Sequence, residues 1–390
     1  MTDVAQAAGV SLGTVSNVLN HPHKVSAATS ERVRAAISQL GFVRNDAARS
    51  LASGSNHSIG MLLADIDNSL FVDMAHGAQA AAGDAGLNLL LANTLCSPVV
   101  QDQYLDLFDQ ARVSGLLLAP MEDSMAGIER MRAHGRQIVL LNYAPEPDTC
   151  CAVLVDNEAV GRLAATHLMS IGCRRLAFVA AKDDYQPVRD RRRGILDAVH
   201  RASDGVSVEE VDSGGLTVAD GERVGSALAD RPPHLRPDGI IAVTDALAQG
   251  LIGALHVRHA IAVPDDIAVV GCEDNRSLET MVMPLTTLHM PGREMGEAAI
   301  ALLLEEIADP GSHAHRTVVL QPQVLVRRSS ARAAGGRGGR AARPSGVPVA
   351  LRPVTSHHGR AWCLTSPNGP PTFSDEAIEA LQAALDEERP

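Results

Sequence analysis

Four charged residues are placed where they could hold a small polar ligand. Asp67, Asp245 and Glu273 each follow within a few residues of an apolar run, and Arg191 lies in an amphipathic segment after another such run. Carboxylates offer paired hydrogen-bond acceptors, and a guanidinium offers a bidentate donor. This combination suits a ligand with several hydroxyl groups, such as a sugar.

Two of these residues also have an ordinary structural interpretation. Asp245 can cap the helix that starts beside it. Arg191 lies in the arginine-rich stretch 189–193, whose side chains can simply face solvent. Their types and spacing therefore predict a pocket, while either side chain alone is also compatible with a role in the fold.

The elements that position these residues follow from the hydrophobic pattern. Near-continuous apolar runs predict strands covered on both faces, and alternation with helices predicts parallel sheets with right-handed crossovers. The predicted strands are 59–64, 87–92, 115–119, 138–141, 152–155, 176–180, 239–243 and 267–271. The predicted helices include 73–85, 158–171, 188–201 and 246–256. So many units predict two doubly wound α/β lobes, with ligand between them at the carboxyl ends of the strands.

The N-terminal stretch has a different pattern. Residues 3–20, DVAQAAGVSLGTVSNVLN, predict two short helices separated by a turn at Gly9, with Ser11 capping the second. A third helix capped by Ser26 is predicted to bury Val33, Ile37 and Leu40 and to end at Gly41. An ordinary helical hairpin is the alternative for the first two helices, but the three together indicate a helix-turn-helix head.

Charge is consistent with such a head. The whole chain has a net charge of −12, yet residues 1–58 hold five basic and three acidic side chains. An acidic body with a mildly basic head suits a protein that contacts DNA at one end only.

The N-terminal motifs carry a family resemblance. DVAQAAGVSLGTVSNVLN and the following VSAATSERVRAAISQLGFVRNDAARSLASG resemble the DNA-binding domain of the lac repressor (LacI/GalR) family of bacterial transcription regulators. The stretches IGMLLADIDNSLF, VDNEAVGRLAATHLMSIGCRRLAFVA and PDDIAVVGCED resemble the family's periplasmic-binding-protein-like core. The resemblance spans about residues 3–328.

The resemblance implies which residues meet DNA. At the start of the second helix, Leu12, Gly13 and Asn17 match the positions that read base edges. Asn17 stands where arginine is common in the family, and because asparagine suits adenine while arginine suits guanine, the half-site should differ. Phosphate contacts are implied for Ser11, Thr14, Ser16, Asn20 and Lys24.

A hinge is implied after the head. Residues 44–58 form a segment too short to be a stable isolated helix, which should order on DNA. By resemblance Asn45, Ala48 and Leu51 enter the minor groove, with Leu51 as the wedge between base steps. The alternative is that Leu51 packs on the body. Arg44 replaces a proline that is common in the family.

The resemblance also sets the domains and the effector site. It implies a DNA-binding domain over 1–43 and an effector-binding and dimerisation core over 59–328. Lobe 1 is predicted at 59–156 and 287–314, and lobe 2 at 157–285 and 315–328, with crossings near Asn157, Thr286 and His315. The implied effector contacts are Asp67, Leu70, Phe71, Arg191, Asp245 and Glu273.

The C-terminal tail falls outside the resemblance. Residues 329–390 are predicted to be a low-complexity, disordered tail, because 331–360 hold six arginines and no acid. A short helix is predicted at 374–388, capped by Ser374, and is favoured as a surface or frayed helix over a tetramerisation helix.

Composition excludes several classes of protein. The chain lacks an apolar run of membrane-spanning length and a secretory signal pattern, so a cytoplasmic protein without membrane contact is expected. Its six cysteines contain no C-x-x-C, which favours reduced structural thiols over a metal site. No G-x-G-x-x-G after the first strand, P-loop or G-x-S-x-G indicates an enzyme, and no cofactor is expected.

These features together predict a ligand-responsive transcription regulator. The resemblance implies a homodimeric repressor that leaves a near-palindromic double-stranded operator when a small sugar-like effector binds. A corepressor-dependent repressor or activator with a nucleoside-like or other small ligand is the alternative. A solute-binding protein of a sugar transporter is a more distant one.

Overall fold

A computed structural model describes residues 1–42, 57–121, 125–146, 148–182, 185–202, 205–276, 283–331, 350–356 and 359–365. The chain divides into two compact units, Met1–Arg332 and Ala333–Pro390. In the described residues, no helix combines the length and apolar character needed to cross a membrane.

The head is a three-helix unit formed by α1 (Thr2–Ala8), α2 (Leu12–Asn20) and α3 (Ala27–Gln39). Gly9 adopts φ 62° and ends α1, and the Ser11 side chain caps α2 by accepting from the Thr14 N–H. Both local predictions are therefore confirmed. The first two helices and α3 enclose a small apolar core centred on Val4, Val15 and Val33.

Leu40 was predicted to lie in the core of the head, and this prediction is wrong. Leu40 is 48% exposed, and the buried positions of α3 are instead Ser30, Val33 and Ala36. Helix α3 ends at Gln39, so Leu40 follows the last turn and does not continue its buried stripe.

Lobe 1 is a six-stranded parallel sheet with the order β11-β5-β4-β3-β1-β2. Helices cover both faces, α4 and α11 on one and α5 and α6 on the other. Its strands are β1 (Ser58–Leu63), β2 (Asn88–Asn93), β3 (Gly115–Leu118), β4 (Gln137–Leu141), β5 (Cys151–Val155) and β11 (Thr317–Leu320). Its helices are α4 (Ser69–Asp84), α5 (Pro98–Gln110), α6 (Met125–Ala133) and α11 (Gly292–Ala308).

Lobe 2 is a four-stranded parallel sheet with the order β7-β6-β8-β9. Its strands are β6 (Arg175–Ala180), β7 (Ser207–Asp212), β8 (Gly239–Ala242) and β9 (Ala268–Val270). Its helices are α7 (Asn157–Ser170), α8 (Gln186–Arg201), α9 (Val218–Ala229) and α10 (Asp245–Ile252), with a π-helical turn over Gly253–Arg258. The predicted architecture of two doubly wound lobes is confirmed.

Edge strands depart from the predicted pattern. Strand β2 was expected to be covered on both faces, but Leu90 and Leu91 are each about two-fifths exposed. Strand β7 was not predicted, because Glu209, Glu210 and Asp212 interrupt its apolar residues. An edge strand pairs on one side only and tolerates charged side chains, so continuous hydrophobicity is a poor guide there.

The crossings between lobes also differ from the prediction. Strand β11 pairs with β5, so Thr317–Leu320 belongs to lobe 1 and the crossing expected near His315 lies after Leu320. Strands β10 (Thr287–His289) and β12 (Gln323–Leu325) pair antiparallel beside lobe 2. The second crossing therefore lies just before α11. Strand β1 begins at Ser58, one residue inside the predicted linker.

The start of the predicted disordered tail is wrong. Ser329 and Ser330 are fully buried in lobe 2, where the Ser329 hydroxyl donates to the Val269 carbonyl oxygen. In the second unit, β13 (Ala350–Ser356) and β14 (Gly359–Thr365) pair as an antiparallel hairpin. Backbone pairing in a short hairpin does not require the apolar composition that a core needs. The helix predicted at 374–388 lies outside the described residues.

Paired glycines let helices approach at backbone distance in both lobes. A Cβ on Gly77 of α4 would lie 2.0 Å from the Arg293 carbonyl oxygen of α11, and one on Gly296 would meet the Met74 oxygen at 2.0 Å. In lobe 2, a Cβ on Gly194 of α8 would lie 2.0 Å from the Glu158 oxygen of α7. Such crossings exclude any larger residue.

The Gly77→Ala substitution tests this packing. The added methyl group meets backbone that no rotamer change can move, so we expect a loss of about 3 kcal/mol in unfolding free energy. Gly83→Ala in the same helix is the control: its Cβ meets nothing within 4 Å, and alanine should stabilise the helix by up to about 1 kcal/mol. Urea denaturation followed by circular dichroism measures both, and equal midpoints would contradict the packing argument.

Candidate functional site

The candidate DNA-reading residues lie together on the exposed face of α2. Val15 and Val18 are buried on one face of α2, so the opposite face lies in solvent. On that face Leu12 is 51% exposed, and Gly13 and Asn17 are also exposed. The turn before α2 is fixed by the Ser11 cap, whose hydroxyl is 3.1 Å from the Thr14 nitrogen. The exposed face of α2 thus carries, in chain order, the apolar side chain of Leu12, the glycine Gly13 without a side chain, and the amide of Asn17.

The predicted phosphate-contacting residues surround this helix. Ser11 and Lys24 are exposed, while Thr14 and Ser16 are half-buried. The Thr14 hydroxyl already shares a hydrogen bond of 2.9 Å with the Ser11 hydroxyl. The side chain of Asn20 and the hinge residues Asn45, Ala48 and Leu51 lie outside the described residues.

A cavity of about 240 Å³ lies between the two lobes at the carboxyl ends of their strands. Lobe 1 contributes the segment after β1 and the ends of β3 and β4, and lobe 2 contributes the start of α8 and the segments after β8 and β9. The location is the one predicted from the strand pattern. Of the predicted effector contacts, Asp67, Leu70, Phe71, Arg191 and Glu273 line this cavity.

Arg191 is buried at the floor of the cleft and held by its own lobe. Its Nε donates to Asn157 Oδ1 at 3.0 Å, and its Nη1 donates to the Val243 carbonyl oxygen at 2.7 Å. Asn157 in turn donates to Asn142 Oδ1 of lobe 1 at 2.9 Å. The guanidinium is therefore fixed in orientation before any ligand arrives, and the interpretation of Arg191 as a solvated arginine does not fit.

Glu273 of lobe 2 links the two lobes at the cavity. Its Oε1 accepts from Asn68 Nδ2 at 2.7 Å, across the lobe boundary. Burial and the neighbouring Asp245 carboxylate raise the pKa of Glu273 to about 7, although Arg191 opposes the shift. A carboxyl group with such a pKa changes its charge near neutral pH.

Asp245 does not line the cavity, contrary to the position predicted for it as an effector contact. It is only 1% exposed and accepts from the Thr287 hydroxyl at 2.7 Å and from the Asn275 N–H at 2.8 Å. Nor does it cap α10, since Thr244 does. Burial raises the pKa of Asp245, and its carboxylate organises the 271–275 loop that carries Glu273.

The lobe 1 side of the cavity is built from the start of α4. Asn68 caps α4 by accepting from the Leu70 N–H at 3.0 Å. Leu70 is 3% exposed and anchors the helix in the core, while Phe71 is half-buried. Asp67 is exposed at the rim.

Several cavity residues were not singled out from the sequence. Gln186 is the clearest: its amide pairs with the backbone of Ala144 in lobe 1, donating to the oxygen at 3.1 Å and accepting from the N–H at 2.6 Å. Asn275 accepts from the Ser69 hydroxyl at 2.9 Å. Others are Asn68, Cys96, Asn142, Tyr143 and Tyr185. Among these residues, only the polar ones just after β9 or at the start of α8 could have been predicted from the sequence, because they lie beside the ends of predicted strands or helices.

Two models of known protein families match this chain, one in the head and one in the lobes. Residues 1–45 match the model of bacterial regulatory proteins of the lacI family. Residues 165–330 match that of the periplasmic binding protein-like domain. The ribose operon repressor of Escherichia coli strain K12 is 34% identical over 333 residues, which cover 85% of this chain and 99% of that protein. The transcriptional repressor PurR of Photobacterium profundum is 29% identical over 84% of this chain and 97% of its own length.

Solved structures agree with these matches. A lacI family transcriptional regulator from Silicibacter pomeroyi superposes with a TM-score of 0.72 at 26% identity, covering 84% of this chain and 98% of its own. The transcriptional regulator CelR in complex with cellobiose gives 0.61 at 26% identity, with the same coverage. The ribose operon repressor similarity extends from the head through both lobes. The chain therefore belongs to the lacI family of bacterial regulatory proteins, which are DNA-binding transcription regulators rather than enzymes.

Proposed function

We propose that this protein is a dimeric repressor whose affinity for its operator is set by a small, hydroxyl-rich ligand bound between the lobes. The observation that carries the proposal is the direct polar contact between lobes at the cavity itself: Asn68 to Glu273 on one side and Gln186 to Ala144 on the other. A ligand in the cavity competes with or adds to these contacts. It therefore binds two relative positions of the lobes with different affinity, which is what a ligand-driven switch requires.

A sugar is the ligand class that the site and the relatives favour. Arg191 offers a fixed donor, Glu273 and Asp67 offer acceptors, and Phe71 offers an apolar surface. The ribose operon repressor and the cellobiose-bound regulator are the relatives that point the same way. Thermal unfolding of the protein with a panel of pentoses, hexoses, disaccharides and nucleosides tests the class, because a ligand of the folded state raises the melting temperature.

The second candidate is a corepressor-dependent repressor with a purine-like ligand. The aromatic residues Phe71, Tyr143 and Tyr185 around the cavity favour it. The sign of the response separates the two. A sugar that weakens operator binding in a mobility-shift assay supports induction, whereas a nucleobase that strengthens it supports corepression.

Asn17 should select a base different from that read by arginine-bearing relatives. An amide pairs with adenine N6 and N7, while a guanidinium pairs with guanine O6 and N7. We expect the Asn17→Arg variant to select operators changed at one symmetric base pair per half-site and to lose about 1–3 kcal/mol on the native operator. Selection from a randomised half-site library measures this, with Leu40→Ala as a control away from the reading face. Identical selected half-sites would refute the role of Asn17.

Effector binding should depend on pH through Glu273. With a pKa of about 7, the acceptor form predominates at pH 8 and the protonated form at pH 6. If the carboxylate accepts from a ligand hydroxyl, affinity should fall about tenfold from pH 8 to pH 6. In calorimetric titrations, Glu273→Gln should bind the effector more weakly at pH 8, and its affinity should not change between pH 6 and pH 8. Asp67→Asn at the rim should keep the pH dependence of the wild type. A wild-type affinity independent of pH would exclude Glu273 as the acceptor.

Arg191 should hold the ligand through its fixed fork. Arg191→Lys keeps the positive charge but loses the bidentate geometry, so effector affinity should fall by about 1.5–3 kcal/mol while operator binding without effector persists. Arg193→Lys is the matched control, because that guanidinium is exposed on the same helix and pairs with Glu158. Equal effector affinity in the two variants, measured by calorimetry, would remove Arg191 from the site.

A further inference from the structure

A second cluster of reactive side chains lies in lobe 1, away from the cleft. Cys151, Glu306, His313 and His315 each offer one potential ligand atom, and these atoms all lie within 4.8 Å of one another. We propose that the four residues form a binding site for a divalent transition metal of the zinc class.

The spacing of the ligand atoms suits a tetrahedral ion. Cys151 Sγ is 3.1 Å from His313 Nε2 and 4.0 Å from His315 Nδ1, and Glu306 Oε1 is 3.9 Å from His315 Nδ1. In a tetrahedral zinc site with bonds of about 2.0–2.3 Å, neighbouring ligand atoms are about 3.3–3.7 Å apart. The observed distances bracket this range, so small side-chain rotations bring all four atoms into coordination.

Glu306 supplies an independent indication of a bound cation. It lies near the end of α11 and is only 3% exposed, yet its Oε2 has no hydrogen-bond partner among the described residues. A buried carboxylate oxygen without a partner is costly and calls for a compensating positive group. A metal ion in the centre of the cluster satisfies it.

The fold places these residues together without help from a metal. The Ala152 N–H donates to the Arg316 carbonyl oxygen at 3.1 Å, and β5 pairs in register with β11. His315 therefore lies beside Cys151, the first residue of β5, and the Arg316 N–H approaches the Cys151 sulfur at 3.4 Å. The strand register thus places two of the four ligands, Cys151 and His315, before any metal binds.

The donor set selects the class of metal. A thiolate and two imidazoles are ligands of zinc, cobalt and similar ions, while calcium and magnesium prefer oxygen ligands only. A thiolate and a carboxylate also balance the charge of a divalent ion. The thiol proton passes to solvent on binding, so the affinity rises with pH.

Arg132 opposes metal binding at this site. Its Nη2 is 3.2 Å from His315 Nε2, and its Nη1 donates to the Thr149 carbonyl oxygen. Since a guanidinium only donates, this contact uses the lone pair of Nε2 and leaves the proton on Nδ1. Coordination through Nδ1 moves that proton to Nε2, and Arg132 must then turn away. Arg132 thus acts as a positive group that lowers the affinity of the site.

Cobalt titration of the full chain after treatment with a chelator tests the proposal. We expect one equivalent of Co²⁺ to give the visible bands of a tetrahedral site and a near-ultraviolet thiolate band, and Zn²⁺ to displace it. Cys151→Ser should lose the thiolate band, and His313→Gln should weaken binding at least tenfold. His259→Gln is a matched control on an exposed residue outside the cluster and should bind Co²⁺ as the wild type does.

The Arg132→Gln variant separates a built site from chance proximity of the side chains. Removal of the opposing charge should tighten Co²⁺ binding, and the melting temperature of this variant should rise further with Zn²⁺ than that of the wild type. Circular dichroism of each metal-free variant verifies folding. His313→Gln should not disturb the fold, because His313 is only half-buried and lies in the loop between α11 and β11. Equal binding by wild type and His313→Gln, or no stoichiometric binding by the wild type, would overturn the proposal.

Discussion

Backbone contact between helices at paired glycines is the constraint on which the cleft depends. Gly77 and Gly296 bring α4 against α11, and Gly194 brings α8 against α7 at distances that no side chain permits. Helix α4 begins with the cap that reaches Glu273, and α8 carries Arg191 one turn before its glycine. The helices that hold opposite walls of the cleft are thus fixed on their own lobes. Relative motion is left to the boundary between lobes.

Polar contacts around the cavity bridge this boundary. Asn68 with Glu273 and Ser69 with Asn275 lie on one side of the cavity, and Gln186 with Ala144 lies on the other. Each is a hydrogen bond that solvent can replace, so its net contribution is about 0.5–1.5 kcal/mol. Because each of these contacts is weak, a ligand that replaces them needs only a modest difference in affinity between the two arrangements of the lobes to shift their balance.

The sequence correctly predicted the features that depend on local periodicity. It did not predict features that depend on contacts between residues far apart in the chain. The caps at Ser11 and Gly9, the buried strands of both lobes and the position of Arg191 behind β6 follow from patterns within a few residues. Asp245 looked equivalent to Glu273, since both follow strands. Only the three-dimensional path of the 271–275 loop turns Asp245 inward and Glu273 toward the cleft. The membership of β11 in lobe 1 likewise depends on a partner strand more than 160 positions away.

The cysteine spacing did not reveal the Cys151 cluster, because its ligands come from distant parts of the chain. Short-range metal motifs place ligands a few residues apart, whereas here only His313 and His315 are neighbours in sequence and the other ligands come from β5 and α11. Parallel pairing of β5 with β11 brings them together at the amino ends of the strands, the edge of lobe 1 at which β1 also begins. The cavity between the lobes occupies the opposite, carboxyl edge. One sheet thus separates the two sites, so the proposed metal would bind lobe 1 without entering the cleft.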